Sequence, residues 1–252
     1  MRDYEKETKE RVAFIRKIIE ESGASGIVYG NSGGKDCTLV SILCKMACEN
    51  TISIMMPCGS KQNYNEDMEH AVLSCKQYSI DYQVIDLTPV KEALISSMTS
   101  NKSPLSDLAM SNIAPRLRMT TLYAFGQTNN LLVAGTGNKS ERYVGYFTKW
   151  GDGACDFNPI SDLLTNEVFE FLEYLKAPPV IINKAPSAGL YDGQTDEADM
   201  GVSYSQINEH ILQEEQALLQ GVPFEPAMGN EKILSMHKRS MHKRDGIYFY
   251  SK

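Results

Sequence analysis

Several marks of a membrane or secreted protein are missing from this chain. No apolar run approaches the roughly 20 residues a membrane helix needs. The opening stretch Met1-Arg2-Asp3-Tyr4-Glu5-Lys6 is charged and carries no apolar signal core. The six cysteines show no C-x-x-C spacing, which argues against a zinc ribbon and against a secreted disulfide scaffold. Excess basic charge is missing too. The net charge of -7 argues against nucleic acid as the main partner. A bound phosphate would therefore rely on local cations and backbone dipoles. There is no long internal repeat and no low-complexity tract. Only the short copies Met236-His237-Lys238-Arg239 and Met241-His242-Lys243-Arg244 recur. A cytoplasmic location is expected.

What is present reads as alternating helices and strands. The 252 residues include 42% hydrophobic side chains, enough to bury a sizeable core. Residues 3–22 have a helical period, with Val12, Ile15, Ile18 and Ile19 on one side and Gly23 and Gly26 at the end. Short apolar strands are expected at 27–29, 51–56, 82–87 and 131–134, the second stopped by Pro57. Helices fall between them, near 38–48, 65–78, from Pro89 onward and from Pro115 to Gln127. Cys44 and Cys48, four apart, are expected on the core face of the first of these. This alternation implies an α/β fold: a doubly wound, mostly parallel five-stranded sheet with helices on both faces. Further helices are expected at 166–176 and, from a Ser203 cap, at 203–219. His70 and His210 are expected on exposed helix surfaces. The stretch from Lys184 to Met200, rich in Gly and Asp, reads as a long loop acting as a lid. One domain over residues 1–252 is expected, an α/β core with a C-terminal lid loop and helices.

The chemistry is concentrated in two loops. Gly30-Asn31-Ser32-Gly33-Gly34-Lys35-Asp36-Cys37 links the first strand to a helix start, which is a ready anion cradle. It is not a Walker loop, because Lys35 is followed by Asp36 and not by Ser or Thr. The dinucleotide fingerprint also fails, both here and at Gly135-Thr136-Gly137-Asn138-Lys139-Ser140, where the third Gly is missing. In a doubly wound sheet both loops leave the carboxyl ends of strands, so they can face one crevice. Asp36 and Glu141 could then share a Mg²⁺, an ion that favours oxygen ligands and substrate phosphates. Taken alone, Glu141 could equally be an exposed acid in a first helical turn.

The first loop resembles the S-G-G-x-D-S signature of ATP pyrophosphatases, with Cys37 in place of the last Ser. Further blocks make the resemblance specific. Asn112-Ile113-Ala114-Pro115-Arg116-Leu117-Arg118-Met119, Gly135 to Glu141, Gly145 to Gly153, Asp156-Phe157-Asn158-Pro159, Lys184 to Leu190 and Gly193 to Glu197 occur in one order. Together they resemble the ammonia-dependent NAD⁺ synthetases over nearly the whole chain. The resemblance implies amidation of deamido-NAD⁺ by ammonia, with ATP split to AMP and pyrophosphate, through an adenylated carboxylate. It implies that Gly30, Asn31, Ser32, Gly33, Gly34, Lys35, Asp36 and Cys37 hold ATP together with Thr136, Thr165 and Ser187. Asp36 and Lys35 would act at the reacting phosphates, and Asp36 and Glu141 would bind Mg²⁺. Arg116, Lys149, Asp156, His242 and Lys243 would contact deamido-NAD⁺. Many relatives carry Lys at the position of Thr165, so Lys35 or Lys139 is expected to supply that charge, with Lys35 favoured by its place in the loop. The resemblance also implies a homodimer.

No segment is long enough for a glutaminase domain of about 250 residues. Free ammonia is the expected nitrogen source, with a separate glutaminase as the alternative. Two other readings stay open at this point. One is a different ATP-splitting enzyme, acting on a purine nucleotide or tRNA. The other is a non-catalytic adenine-nucleotide binding module.

Overall fold

Two apolar faces on the three strands Gly26–Gly30, Thr51–Met55 and Leu131–Ala134 dictate the architecture, while the edge strand Asp81–Val84 is exposed. The structure is a computed structural model and describes residues 2–59, 65–99, 104–184, 187 and 195–250. Four parallel strands form the sheet among these residues: β1 (Gly26–Gly30), β2 (Thr51–Met55), β3 (Asp81–Val84) and β4 (Leu131–Ala134). Their order is β3-β2-β1-β4. Val28 of β1 lies opposite Ile52 of β2 on one side and Val133 of β4 on the other. Successive side chains point to opposite faces of a strand. Ile27 and Tyr29 accordingly enter one core, with Ile15 of α1 (Tyr4–Ser22) and Leu39 and Leu43 of α2 (Lys35–Ala47). Val28, Ile54, Leu131 and Val133 enter the other, against α6 (Ile113–Asn129). Between these helices lie α3 (Glu66–Gln77), α4 (Thr88–Thr99) and α5 (Asp107–Ser111).

Two expected strands differ from what the sequence suggested. The strand at 82–87 is regular only over Asp81–Val84. Ile85 still donates to the Met55 carbonyl (2.9 Å) and Leu87 to that of Pro57 (2.9 Å). Pro57 has no N–H to return, so the ladder stops there. The expected fifth strand is also missing among the described residues. In its place is one isolated parallel bridge, Ala134 to Phe157. Pro159 follows two residues later and cannot donate to a ladder.

The rest of the chain follows α7 (Lys139–Val144); its first helix packs into the core of α1 and α2 through Val168, Phe171 and Leu172, and the later ones cover α7. It comprises α8 (Thr165–Tyr174), α9 (Pro179–Ile182), α10 (Asp196–Met200), α11 (Tyr204–Gln220), α12 (Glu231–Arg239) and α13 (Met241–Arg244). The Ser203 cap is present: its side chain accepts from the Gln206 N–H, and Gln206 completes a reciprocal capping box. Val144, Leu164, Met200, Tyr204, Ile207 and Ile233 form a third apolar cluster that fixes these helices to α7. Cys44 is buried in the first core and Cys48 packs partly against it.

His70 and His210 are corrected: both are buried, His210 completely. His210 lies between the Tyr143 hydroxyl (3.2 Å) and the Asn230 amide (3.1 Å). Helical period alone does not distinguish a polar side chain facing solvent from one facing a second helix layer. Of the expected lid, residues 185, 186 and 188–194 lie outside the described residues. Its ends are ordered structure: Lys184 pairs with Asp67 (2.5 Å), and Asp196–Met200 is helical.

Candidate active site

The strand order reverses at β1. β2 and β3 lie on one side of it and β4 on the other. The chains leaving β1 and β4 therefore part at their carboxyl ends and open a crevice, the usual ligand position in such sheets. The Gly30–Cys37 and Gly135–Glu141 loops line it from opposite sides.

The first loop is shaped by its own side chains. Asn31 is buried and its Oδ1 accepts from the Gly33 N–H (2.9 Å), folding the chain back. Gly33 has φ +71° and passes so close to α3 that a Cβ would lie 2.1 Å from the Asp67 carbonyl oxygen. Only glycine meets both demands. The helix that follows is capped by the backbone of Gly34, and no side chain accepts from its first turn. By contrast α1, α7 and α11 each close their first turn with a side-chain oxygen. The free N–H groups of α2 and its dipole are thus available to an anion.

The second loop brings acids to the same place. Asn138 is fully buried and caps α7: it accepts from the Glu141 N–H (3.0 Å), and Glu141 accepts from the Asn138 N–H (3.2 Å). The Asn138 amide also reaches across and donates to Asp36 Oδ1 (3.1 Å). One asparagine therefore sets the position of Glu141 and Asp36 together. Lys35 lies between the two carboxylates, with Nζ 2.5 Å from Asp36 Oδ2 and 3.8 Å from Glu141 Oε1.

The electrostatics follow from burial and from this crowding of acids. Burial pushes the Glu141 carboxyl above its ordinary range, and the nearby Asp36 charge pushes the same way, while Lys35 and the Asn138 N–H oppose them. Burial would lower the Lys35 ammonium, but Asp36, Glu141 and Asp196 outweigh it and the net shift is upward. Tyr204 is raised by burial, then by Glu141 and Asp196; its hydroxyl donates to Asp196 Oδ2 (2.9 Å). Burial also raises the Cys37 thiol, which lies 3.3 Å from Ser32 Oγ and within hydrogen-bond reach of Thr136. Cys37 thus touches both loops, as a serine in its place would.

The other sequence candidates lie in four places. Arg116, Lys149, His242 and Lys243 are brought together. Arg116 donates to the Lys149 carbonyl at 3.4 Å, Lys149 Nζ donates to the His242 carbonyl, and Lys243 Nζ donates to the carbonyls of Gly145 (2.7 Å) and Phe147 (2.6 Å). Gly145 (φ +71°) lies so close to the tail that a Cβ would meet Ser240 Cβ at 2.1 Å. Asp156 stands apart at the edge of β4, accepting from the Val133 N–H (2.8 Å) and the Tyr123 hydroxyl (3.2 Å). Thr165 is buried, its hydroxyl donating to Asn138 Oδ1 at 3.4 Å, so it is not on the crevice surface. Ser187 is half-buried.

Sequence reading missed Asn138, Asp196 and Tyr204. The Asn138-x-x-Glu141 capping box was a usable signal for the first. The other two meet Lys35 only through tertiary packing.

Asp36 and Glu141 offer the hard oxygen donors that suit Mg²⁺, and a cation already spans them in the form of the Lys35 ammonium. Among the described residues there is no cluster of three or more His, Cys, Asp or Glu side chains arranged as a metal site. Two carboxylates suffice for Mg²⁺ when substrate phosphates complete the shell. No helix among the described residues is long and apolar enough to cross a membrane.

Comparison with known proteins places this arrangement. The sequence model of the NAD synthase family matches residues 7–246. The NH3-dependent NAD(+) synthetase of Carboxydothermus hydrogenoformans is 46% identical over 213 residues, covering 83% of this chain and 86% of that protein. Among solved structures, the NMN synthetase of Francisella tularensis superposes with a TM-score of 0.87 at 34% identity, over 100% of this chain and 99% of that one. The NH3-dependent NAD synthetase of Campylobacter jejuni gives 0.76 at 27% identity, over the whole of both chains. With the crevice, the two loops and this match over nearly its full length, the chain belongs to the NAD synthase family.

Proposed function

We propose that this chain converts deamido-NAD⁺, ATP and ammonia to NAD⁺, AMP and pyrophosphate. The observation that carries this reading is the pairing of two loops across one crevice. The uncapped first turn of α2 lies on one side and Glu141 on the other, and Asn138 ties them together through Asp36. A carboxylate repels nucleophiles, so amidation needs its oxygen turned into a leaving group. Attack of the nicotinate carboxylate on the ATP α-phosphate releases pyrophosphate and makes a mixed anhydride. Ammonia then adds to the acyl carbon, loses a proton, and AMP departs. The protein's main tasks are to hold two polyanions in line and to neutralise phosphate charge.

Each part of the crevice fits one of these tasks. Residues 30–37 and Thr136 would receive the ATP phosphates, aided by backbone N–H groups. Asp36 and Glu141 would hold Mg²⁺, which supplies charge neutralisation as pyrophosphate leaves. Lys35, buried beside them, is the cation that would compensate for Thr165. Arg116, Lys149, His242 and Lys243, gathered by the docked tail, would face the second nucleotide, and Asp156 would join them only on substrate binding. Ser187 and the homodimer are carried by family resemblance alone, and a separate glutaminase is the alternative source of ammonia.

The test is direct. Purified protein with Mg²⁺, ATP, deamido-NAD⁺ and ammonium is expected to release NAD⁺ and AMP in equal amounts, and glutamine is expected not to replace ammonium. No NAD⁺ would remove the reading. The close superposition on an NMN synthetase favours one second reading, amidation of nicotinate mononucleotide. Both substrates present the same carboxylate, so the ratio of their kcat/KM values separates the two.

A further inference from the structure

Lys35 is an unusual residue to find in a metal pocket. It is the first residue of α2, so its backbone belongs to the phosphate loop. Its side chain is 6% exposed. The ammonium is held by Asp36 at 2.5 Å and lies 3.8 Å from Glu141. It also lies 5.7 Å from the centre of the Tyr204 ring and 5.8 Å from that of Phe169, within cation–π reach. The Tyr204 ring is fixed by its hydrogen bond to the buried Asp196. Three carboxylates, Asp36, Glu141 and Asp196, act on this single ammonium. Fully ionised, the group is short of two positive charges, the charge of a divalent cation.

We infer that Lys35 is a tethered cation that holds the Asp36–Glu141 position in the free protein and is displaced toward the Tyr204 and Phe169 rings when a divalent ion enters. This rests on the reading of Asp36 and Glu141 as the metal ligands. The physical basis is that two buried carboxylates facing each other with no counter-charge would be costly. The lysine lowers that cost before substrate arrives. The same ammonium repels an incoming divalent ion at short range, so metal alone binds weakly. Triphosphate oxygens would favour entry by giving the displaced ammonium a new partner. The two rings and Asp196 keep the displaced cation inside the pocket. Nucleotide and metal would therefore enter together, and Lys35 would be delivered to the phosphates in the same movement.

Binding of Mn²⁺ to the full chain without nucleotide, followed by its electron paramagnetic resonance signal, tests this. Lys35→Met is expected to bind Mn²⁺ about tenfold or more tightly than the parent, because a nearby positive charge is gone. Lys35→Arg keeps the charge and is expected to bind as weakly as the parent. Adding Glu141→Gln to Lys35→Met is expected to abolish the gain. Equal affinity of the parent and Lys35→Met, lost in Glu141→Gln, would overturn the tethered-cation inference and leave the metal site standing. Binding unaffected by Asp36→Asn and Glu141→Gln would instead overturn the metal-site reading. Should Lys35→Met not fold, Lys35→Gln removes the charge while keeping a donor for Asp36, and the same comparisons apply.

Discussion

Replacing Gly33 by alanine isolates the geometry of the Gly30–Cys37 loop. The residue has φ +71°, a conformation that costs an L side chain about 1–2 kcal/mol. The added methyl would also lie 2.1 Å from the Asp67 carbonyl oxygen and 3.1 Å from the Ala71 nitrogen, both backbone atoms of α3. Relief would take a movement of more than about 1 Å, because carbon contacts are comfortable only near 3.5 Å. Helix α3 cannot readily give way: Ala71 and Cys75 are in the core, and the Asp67 side chain is paired with Lys184. The loop must move instead, carrying the α2 N-terminus with it. Misplacement by about 1 Å can cost about 100-fold in rate. Gly33→Ala is therefore expected to lower kcat/KM for ATP by about 100-fold. Its Tm should fall by at least roughly 2–4 °C for each kcal/mol of strain. Gly30→Ala is the matched control. A Cβ there meets only the flexible ends of Leu122 and Met56 at 3.4 Å, and φ is ordinary. Its Tm is expected to stay level or rise slightly, since alanine restricts the unfolded chain. Wild-type Tm and kcat/KM in Gly33→Ala would refute this account of the loop.

Other outcomes are equally specific. The Glu141 carboxyl is raised on folding, so the metal-free folded state holds an extra proton, and stability falls as pH rises from the ordinary carboxylate range through the folded pKa. Glu141→Gln keeps the capping box and is expected to flatten that part of the Tm–pH profile, while abolishing turnover. His210 is lowered mainly by burial, so its contribution is lost in the other direction, as pH falls below the ordinary histidine range; urea melts at stepped pH should show the loss. Asp156→Ala deprives the Val133 N–H of its partner and should cost about 1–3 kcal/mol in urea unfolding, whereas Asp156→Asn, which keeps an oxygen acceptor, should cost less. Lys243→Met releases the carbonyls of Gly145 and Phe147 and is expected to raise KM for the pyridine nucleotide more than KM for ATP, measured in initial-rate assays.

Much of the site could be read in the sequence because its parts are local. The Gly30–Cys37 turn, the following helix and the Ser203 cap each depend on neighbours within a few residues. The rule placing strand ends together in a parallel sheet is not local, but it follows from the alternation of elements alone, and it brought Gly30 and Gly135 to one crevice. Strand number was less legible, because Phe157 makes one bridge before Pro159 ends the ladder. The buried states of His70 and His210 depend on which helix covers them, which spacing does not encode. The same holds for Thr165, whose position beneath Asn138 is set by packing of α8 on α7. Asp196 and Tyr204 escaped notice because they meet Lys35 only through a chain separation of more than 150 residues.

The tail has a consequence for how the protein is made. Lys243 reaches back 98 residues to the Gly145 carbonyl, and Arg244 reaches 101 residues to that of Tyr143. A chain emerging from the ribosome can complete its sheet and phosphate loop once β4 is free. It cannot fix the segment after Gly145 until Lys243 and Arg244 have been released. These contacts therefore form only after the sheet, and a chain cut short before Ser240 would lack the bonds that Lys243 and Arg244 make to the carbonyls of Arg142, Tyr143, Gly145 and Phe147.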